Sequence, residues 1–269
     1  MGDVRLASTV MLLRDGADGM EVFMVQRHRR SGFLPHAWVF PGGRVDDGDH
    51  LAAHPRIRGG ARIAEQFGVA AELGVAHGIC GVRETFEEAG VWLGDGTLPE
   101  SLRLALHRGD VALTDVLDTH DAAVDLDALV PWSWWVTPRA EPKRYDTRFL
   151  AVKVLEAAGR HDEIEVVDSR WVRPRAVFDD AVSAADFPLA PPTWWTLREL
   201  AHFDTVDAAL ASPRPADRAI QPIMEFGDGG VHLYLPGHEG HGDAPIDGVP
   251  DRITFEEGAW VGWRGSQRV

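Results

Sequence analysis

The chain has 269 residues, of which 45% are hydrophobic, and its 27 basic and 42 acidic residues give a formal net charge of -15. This length and hydrophobic content predict a globular protein of one large domain or slightly more. The acidic balance argues against a protein that coats nucleic acid or docks on anionic membranes. It does not exclude a small anionic substrate, because a bound divalent metal reverses the local field.

Signals for membrane insertion or for an oxidising compartment are not found in the sequence. The single cysteine, Cys80, excludes an intramolecular disulfide, and no apolar run approaches the roughly 20 residues that a membrane-spanning helix needs. The N-terminus is typical of neither a signal peptide nor a myristoylation site, because Leu6 stands where Ser or Thr is required. We therefore expect a cytoplasmic protein without membrane or nucleic-acid partners.

In chain order, the sequence predicts a hairpin, a short strand, a loop and then helices. The first strands are expected at 6–13, 20–26 and 37–40, and helices at 61–73 and 79–89, after a surface loop over 46–62. Further on, short helices are expected within 99–130 and 174–210, and strands at 148–155, 163–172, 231–235 and 253–255. Strands interleaved with helices indicate an α/β or α+β protein.

Glycine and proline become frequent after residue 211, where short apolar runs replace the helical patterns. This change predicts a main domain over 1–211 and a β-rich extension over 212–269 that packs on the same domain. Nothing in the sequence locates an interface between copies, although a homodimer is an open option.

Three carboxylates stand out in the second predicted helix. Glu84, Glu87 and Glu88 are spaced i, i+3 and i+4, so they share one helix face. A bare pattern of this kind is usually a solvated surface. A divalent cation would relieve the repulsion between the three charges, and ligands that are all oxygen suit Mg²⁺ or Mn²⁺. Arg83, four residues before Glu87, can hold that carboxylate in place.

Together with the strand end Phe40-Pro41-Gly42-Gly43, this helix resembles the signature of Nudix hydrolases. The matching positions are Arg83, Glu84, Glu87, Glu88, Gly90 and Val91, with Gly43 as the opening glycine. The resemblance implies a mixed β-sheet sandwiched between helices. It also implies an enzyme that uses Mg²⁺ or Mn²⁺ to cleave a nucleoside diphosphate linked to another moiety.

The chain departs from the family pattern between the opening glycine and the helix. Arg83 follows Gly43 by 40 residues instead of the usual 14, which indicates a helical insertion within about 46–76. Asp49 stands where the family has Glu, and whether it substitutes for that residue is open. A surface insertion of this length has a modest entropic cost, so the helix can still be presented correctly.

The long insertion resembles a Nudix branch that includes animal coenzyme A diphosphatases. Further matches to this branch are Trp135-Val136-Thr137-Pro138, Arg144-Tyr145-Asp146-Thr147-Arg148-Phe149 and Pro192-Thr193-Trp194-Trp195. The resemblance implies hydrolysis of coenzyme A or an acyl derivative to 3′,5′-ADP and a phosphopantetheine. Ala37-Trp38 stand where coenzyme A-cleaving relatives often have a glycine. The alternatives are ADP-ribose, NADH or another nucleotide derivative, or a Nudix-fold sensor without catalysis.

Candidate site residues follow from the resemblance and from the chemistry of diphosphate cleavage. The expected metal ligands are Glu87, Glu88, Glu84 and the carbonyl of Gly43. Glu84 is also a candidate base, Arg83 supports the carboxylates, and Glu165 is a second candidate base or an ordinary strand carboxylate. The candidate phosphate-binding residues are Arg27, Arg29, Arg144 and Arg148, for which surface salt bridges or a solvated loop are the alternative.

Overall fold

A computed structural model describes residues 4–28, 36–155, 166–178, 187–212, 215–227 and 230–269. Over these residues the strands are β1 (Val4–Gly16), β2 (Gly19–Arg27), β3 (Trp38–Val39), β4 (Gly42–Arg44), β5 (Ile57–Arg58), β6 (Val124–Asp125), β7 (Val130–Val136), β8 (Arg144–Lys153), β9 (Val166–Val172), β10 (Ile223–Gly227), β11 (Gly230–Tyr234), β12 (Arg252–Glu256), β13 (Ala259–Arg264) and β14 (Gln267–Arg268). The helices are α1 (Ala61–Phe67), α2 (Ala71–Ala89), α3 (Ser101–His107), α4 (Leu113–Thr119), α5 (Pro191–Leu200) and α6 (Val206–Ala211).

The central strand of the main sheet is β1. It pairs in parallel with β8 along most of its length, and antiparallel with β4 near its start and with β2 near its end. The sheet order is β3-β2-β1-β8-β7, with β9 added to β2. The insertion of β4 beside the start of β1 brings Gly42 and Gly43 opposite Thr9 and Ser8.

Both faces of this sheet are covered. Along β1, Val10 and Leu12 belong to the core that contains α2, whereas Met11 and Leu13 belong to the core that contains α5. This alternation follows from the two-residue period of a strand, which sends successive side chains to opposite faces. The prediction of a mixed sheet sandwiched between helices is confirmed.

The two helices before the carboxylates differ in extent from the prediction. Helix α1 ends at Phe67, because Gly68 adopts a left-handed backbone conformation with φ of 61°. Helix α2 then begins at Ala71, eight residues earlier than expected, so the carboxylates occupy the last turns of a 19-residue helix. The prediction of one helix over 61–73 was wrong because Gly68 ends the first helix.

A stripe of three glycines on α2 allows its close packing. A Cβ at Gly74 would lie 2.7 Å from the Ala64 nitrogen of α1, and one at Gly81 would lie 2.7 Å from Cγ2 of Val10. At Gly78, the equivalent atom would lie 2.8 Å from Leu126. The absence of side chains at these positions therefore sets how closely α2 approaches α1 and β1.

The C-terminal residues form the expected β-rich region, in which β10 to β14 follow one another as an antiparallel sheet. Leu233 and Ile253 of this sheet share a core with Trp194 of α5. The indole Nε1 of Trp260 donates a hydrogen bond of 2.9 Å to the carbonyl of Leu189. The extension thus contacts the helix layer of the main sheet. Within the described part of the chain, no helix is long and apolar enough to cross a membrane.

Candidate active site

The last turns of α2 lie against the glycines of β4. Glu87 and Glu88 are buried, with 4% and 3% of their surface exposed, and the side chain of Glu84 is 13% exposed. The N–H of Gly42 donates a hydrogen bond of 2.9 Å to Oε2 of Glu88. A Cβ at Gly43 would collide with the carboxylate of Glu84. Glycine at position 43 therefore lets the Glu84 carboxylate lie against the backbone of β4, and a larger residue would displace this carboxylate.

Arg83 is the cation of this site. Its Nε donates a hydrogen bond to Oδ1 of Asp49 and its Nη2 donates one to Oδ2, each at 2.9 Å. Its Nη1 donates to Oε1 of Glu84 at 2.8 Å and lies 3.5 Å from both carboxylate oxygens of Glu87. Burial by itself would lower the pKa of Arg83, but the bonds with Asp49 and the charge of Glu84 outweigh it and raise the pKa.

Asp49 links the two ends of the interrupted motif. Its side chain is 1% exposed, and its Oδ2 also accepts a hydrogen bond of 2.9 Å from the N–H of Asp46. The fork of the Arg83 guanidinium matches the two carboxylate oxygens, which is the favoured arrangement for this pair. The 33 residues between Asp49 and Arg83 thus leave this contact intact.

The donors at this site fit a hard divalent cation in chemical type. Glu84, Glu87, Glu88 and the carbonyl of Gly43 supply only oxygen, as Mg²⁺ and Mn²⁺ prefer. The side-chain-free backbone at Gly43 leaves room where a Cβ would collide with Glu84. Among the described residues, however, no three Asp, Glu, His or Cys side chains converge closely enough to hold a metal as they stand. Metal binding would therefore require the carboxylates to draw closer together than they stand.

Cys80 lies one turn before Arg83 and below the glycine strand. Its Sγ donates to the carbonyl of Arg44 at 3.2 Å and lies 3.6 Å from the carbonyl of Gly43. Burial raises the pKa of this thiol well above its ordinary value, and the charges of Asp49 and Glu84 add to the effect. Cys80 is thus a protonated thiol that holds β4 against α2.

Two further residues contact Glu87 from α3. The guanidinium of Arg103 donates from Nε to the carbonyl of Phe86 at 3.1 Å and from Nη2 to the carbonyl of Glu87 at 3.2 Å. Nδ1 of His107 lies 3.6 Å from Oε2 of Glu87. Neither residue was among the sequence candidates, because no local spacing connects them to the carboxylate helix.

Of the predicted phosphate-binding arginines, Arg27, Arg144 and Arg148 lie within the described residues. Arg148 is 2% exposed, forms an ion pair with Asp146 and stacks 3.8 Å from the ring centroid of Trp134. This burial does not favour the expected phosphate contact, so we do not assign Arg148 to the substrate. Arg144 stands four residues earlier on β8, where its Nε donates to the carbonyl of Thr137 at 3.2 Å.

Arg27 is the last residue of β2, and its backbone N–H donates to the carbonyl of Ala37, just before the strand that leads to Gly42 and Gly43. Arg29 and Glu165 lie outside the described residues. Of the four predicted arginines, Arg27 and Arg144 are thus the described candidates for contact with phosphate.

His77 is buried beside Arg148. Its Nδ1 shares a hydrogen bond of 2.9 Å with Oγ of Ser8, the strand residue paired with both Gly43 and Arg148. Burial and, secondarily, the charge of Arg148 lower the pKa of His77 to about 3. The imidazole is therefore neutral at physiological pH.

Comparison with known proteins gives a family match, similar curated relatives and a solved structure of the same fold. A family model described as the NUDT19 Nudix domain matches residues 61–200. The acyl-coenzyme A diphosphatase NUDT19 of Gallus gallus is 30% identical over 294 residues, covering 87% of this chain and 76% of that protein. The human protein of the same name is 30% identical over 275 residues, covering 83% and 72%.

Among solved structures, a NUDIX hydrolase from Alicyclobacillus acidocaldarius superimposes with a TM-score of 0.68 at 26% identity. The match covers 80% of this chain and 99% of that one. The two chains therefore share one fold over four fifths of this chain.

Proposed function

Because the chain belongs to the NUDT19 Nudix family of hydrolases, we propose that it is a metal-dependent pyrophosphohydrolase that cleaves coenzyme A or an acyl-coenzyme A. The products would be 3′,5′-ADP and phosphopantetheine or its acyl form. In this reaction water adds to one phosphorus of the diphosphate, the bond to the bridging oxygen breaks, and each product retains one phosphate of the diphosphate, which in 3′,5′-ADP stands beside the 3′-phosphate. The names of the relatives from Gallus gallus and Homo sapiens support this choice of substrate.

One observation carries the proposal. Glu84, Glu87 and Glu88 lie at one end of α2, where the Gly42 N–H donates to Glu88, the Glu84 carboxylate lies against Gly43, and Glu87 shares Arg83 with Glu84. A diphosphate repels attacking water because both are rich in electron density, so its hydrolysis requires neutralisation of the phosphate charge. A group of carboxylates beside backbone without side chains can neutralise phosphate charge only if it holds a cation.

We assign Glu87 and Glu88 as the principal ligands of Mg²⁺ or Mn²⁺, and Glu84 and the Gly43 carbonyl as the other ligands that the protein supplies. When bound, the ion would neutralise phosphate oxygens and acidify water. The bond from Gly42 N–H to Glu88 keeps that carboxylate directed toward β4. Arg83 keeps Glu84 and Glu87 on one side of the helix, and Asp49 in turn prevents Arg83 from rotating.

The proton of the attacking water goes to a carboxylate, for which Glu84 and Glu165 are the two candidates. Arg27, Arg29 and Arg144 are the proposed contacts for the phosphates of the substrate, because guanidinium groups match phosphate oxygens. We place the catalytic domain at 1–211 and the extension at 212–269, packed on the same core. A cytoplasmic location and a homodimer stay predictions.

Turnover of a substrate panel tests the proposal. The panel contains coenzyme A, acetyl-coenzyme A, ADP-ribose, NADH and diadenosine polyphosphates, each with Mg²⁺ or Mn²⁺, and the products are identified by mass. Glu87→Gln removes one proposed ligand, and Glu72→Gln, at an exposed position on the same helix, is its matched control. We expect release of 3′,5′-ADP from coenzyme A by the wild type and the control, and its loss in Glu87→Gln.

Other outcomes would change the assignment in defined ways. Turnover of ADP-ribose, NADH or a diadenosine polyphosphate alone would keep the hydrolytic site and overturn the choice of substrate. Thermal stabilisation by a nucleotide without any product would indicate a sensor instead of an enzyme. Full activity of Glu87→Gln would overturn the site itself.

A further inference from the structure

We infer that Arg103 and His107, one turn apart on α3, are positioning residues that fix Glu87 from two sides. This inference rests on the proposed role of Glu87 as a metal ligand. The two residues approach it differently: Arg103 contacts its backbone and His107 contacts its carboxylate. Since they are spaced i and i+4, they lie on the same face of α3, which packs against α2.

The contact with the backbone involves the end of α2. The last carbonyls of a helix have no partner within the helix, and a buried helix end needs donors from elsewhere. The Phe86 carbonyl accepts from the N–H of Gly90, and Arg103, which is 7% exposed, donates both to this carbonyl and to that of Glu87. Gly90 ends the helix with φ of 68°, and a Cβ there would lie 2.9 Å from Nη1 of Arg103. The guanidinium thus fits into space that a glycine leaves open.

The carboxylate of Glu87 lies between a nitrogen of His107 and a nitrogen of Arg83. Nδ1 of His107 lies 3.6 Å from Oε2, and Nη1 of Arg83 lies 3.5 Å from both oxygens. The two nitrogens come from different helices, whereas the carboxylate itself is 4% exposed. Rotation of the Glu87 side chain would therefore remove it from at least one of these nitrogens.

The two principal proposed ligands are thus held from different elements. Glu88 is held by the N–H of Gly42 on β4, and Glu87 by side chains of α3. Groups that orient a metal ligand without touching the metal typically change metal affinity or activity by about 10–100-fold when removed. We place Arg103 and His107 in this class because both act through Glu87.

The test measures Mn²⁺ binding by the full-length protein with electron paramagnetic resonance, alongside kcat and KM for coenzyme A. His107→Ala should weaken Mn²⁺ binding about 10-fold, and His107→Gln, which retains an N–H donor, should recover most of that loss. Arg103→Lys should weaken binding in the same direction, because lysine cannot reach two carbonyls with a fixed fork. Matched controls are His120→Ala, at the end of α4, and the exposed Arg108→Ala.

Thermal unfolding of each variant separates positioning from loss of fold. The inference is overturned if folded His107→Ala binds Mn²⁺ as the wild type does, or if His107→Gln is as weak as His107→Ala. If the wild type binds Mn²⁺ and hydrolyses coenzyme A while His107→Ala is unchanged in both, only this inference fails. If the wild type neither binds Mn²⁺ nor hydrolyses any member of the panel, the proposed function fails first.

Discussion

Arg83, whose side chain is 13% exposed, and Arg148, which is 2% exposed, are each paired with an aspartate, yet their surroundings differ in charge. We define the Arg83 cluster as Arg83, Asp49, Glu84 and Glu87, and the Arg148 cluster as Arg148, Asp146, Trp134 and Phe67. In the first cluster one guanidinium faces three carboxylates. In the second, one guanidinium faces one carboxylate and two aromatic rings.

The pKa directions of the two arginines express this difference. The pKa of Arg83 is raised because the carboxylates outweigh its burial, whereas the pKa of Arg148 is lowered because burial outweighs the single charge of Asp146. The Arg148 cluster is thus balanced in charge and packed with aromatic side chains. The Arg83 cluster has an excess of negative charge, which a bound cation would neutralise. Burial and pairing alone therefore do not identify a site, but an imbalance of buried charge does.

The largest expected difference between the clusters is in activity. Arg83→Gln should lower kcat for coenzyme A about 100-fold, since the carboxylates lose the group that positions them. Arg148→Gln should leave kcat within about 3-fold, because we do not assign its buried cluster to the substrate. Breaking an ion pair should lower the free energy of unfolding by about 3 kcal/mol in both variants. Steady-state kinetics and urea unfolding measure the two effects.

Millimolar Mn²⁺ sharpens the same comparison. It should raise the free energy of unfolding of Arg148→Gln only as much as that of the wild type, because both retain the proposed metal site. In Arg83→Gln, where carboxylates are left without their cation, the gain should be larger. Equal losses of activity in the two variants would contradict the distinction between the clusters and would return Arg148 to the list of substrate contacts.

A smaller effect concerns the dependence of stability on pH at His77, beside the Arg148 cluster. Its pKa is about 3 in the folded chain against an ordinary value of 6.5, so only the unfolded chain binds this proton between these values. The contribution of His77 to the free energy of unfolding is therefore fully present above pH 6.5. It is lost as the pH falls toward 3, by up to about 1.4 kcal/mol per pH unit.

His77→Gln should remove this part of the pH dependence, measured as urea unfolding at pH 7, 6 and 5. The comparison concerns the slope with pH, because the substitution also changes packing at every pH. His120→Gln serves as the control for removal of a histidine elsewhere. An unchanged slope in His77→Gln would show that His77 does not stay neutral in the folded chain.

The smallest effect is expected at Cys80, below the Arg83 cluster. Cys80→Ala loses a weak donor and a small volume, so the free energy of unfolding should fall by about 1 kcal/mol. Cys80→Ser restores a donor toward the carbonyls of Gly43 and Arg44 and should retain turnover. A loss of turnover in Cys80→Ala as large as that in Arg83→Gln would assign the thiol a direct role in the site.

The sequence was sufficient for the features that depend on local spacing. The face shared by Glu84, Glu87 and Glu88 follows from helical periodicity, and the glycine end of the strand follows from turn chemistry. The hairpin of β1 and β2 was also predicted, because its turn lies between two apolar runs. These elements are determined by residues near one another in the chain.

Features that depend on packing were not predicted. Strand β7 was not predicted, because only Val130 falls in the region assigned to short helices and residues 131–136 were assigned to no element. Its sequence begins with Val130-Pro131 and is dominated by tryptophans, which carry little periodicity. Arg103 and His107 lie 16 and 20 residues after Glu87, and only the packing of α3 against α2 brings them to it. The burial of Arg148 depends on aromatic residues from two other elements, so its sequence neighbours suggested a phosphate contact that its position does not favour.

The glycine stripe of α2 has a consequence for the order of folding. Each interior glycine lowers intrinsic helix stability by about 1 kcal/mol relative to alanine. Gly74, Gly78 and Gly81 together therefore make an isolated α2 less stable, by about 3 kcal/mol, than the same helix with alanine at these positions. The helix should therefore persist only once α1 and β1 have closed around it, and its interactions should form late in the folding transition state. Assembly of the carboxylate face would then coincide with completion of the core, so that partly folded chains do not present it.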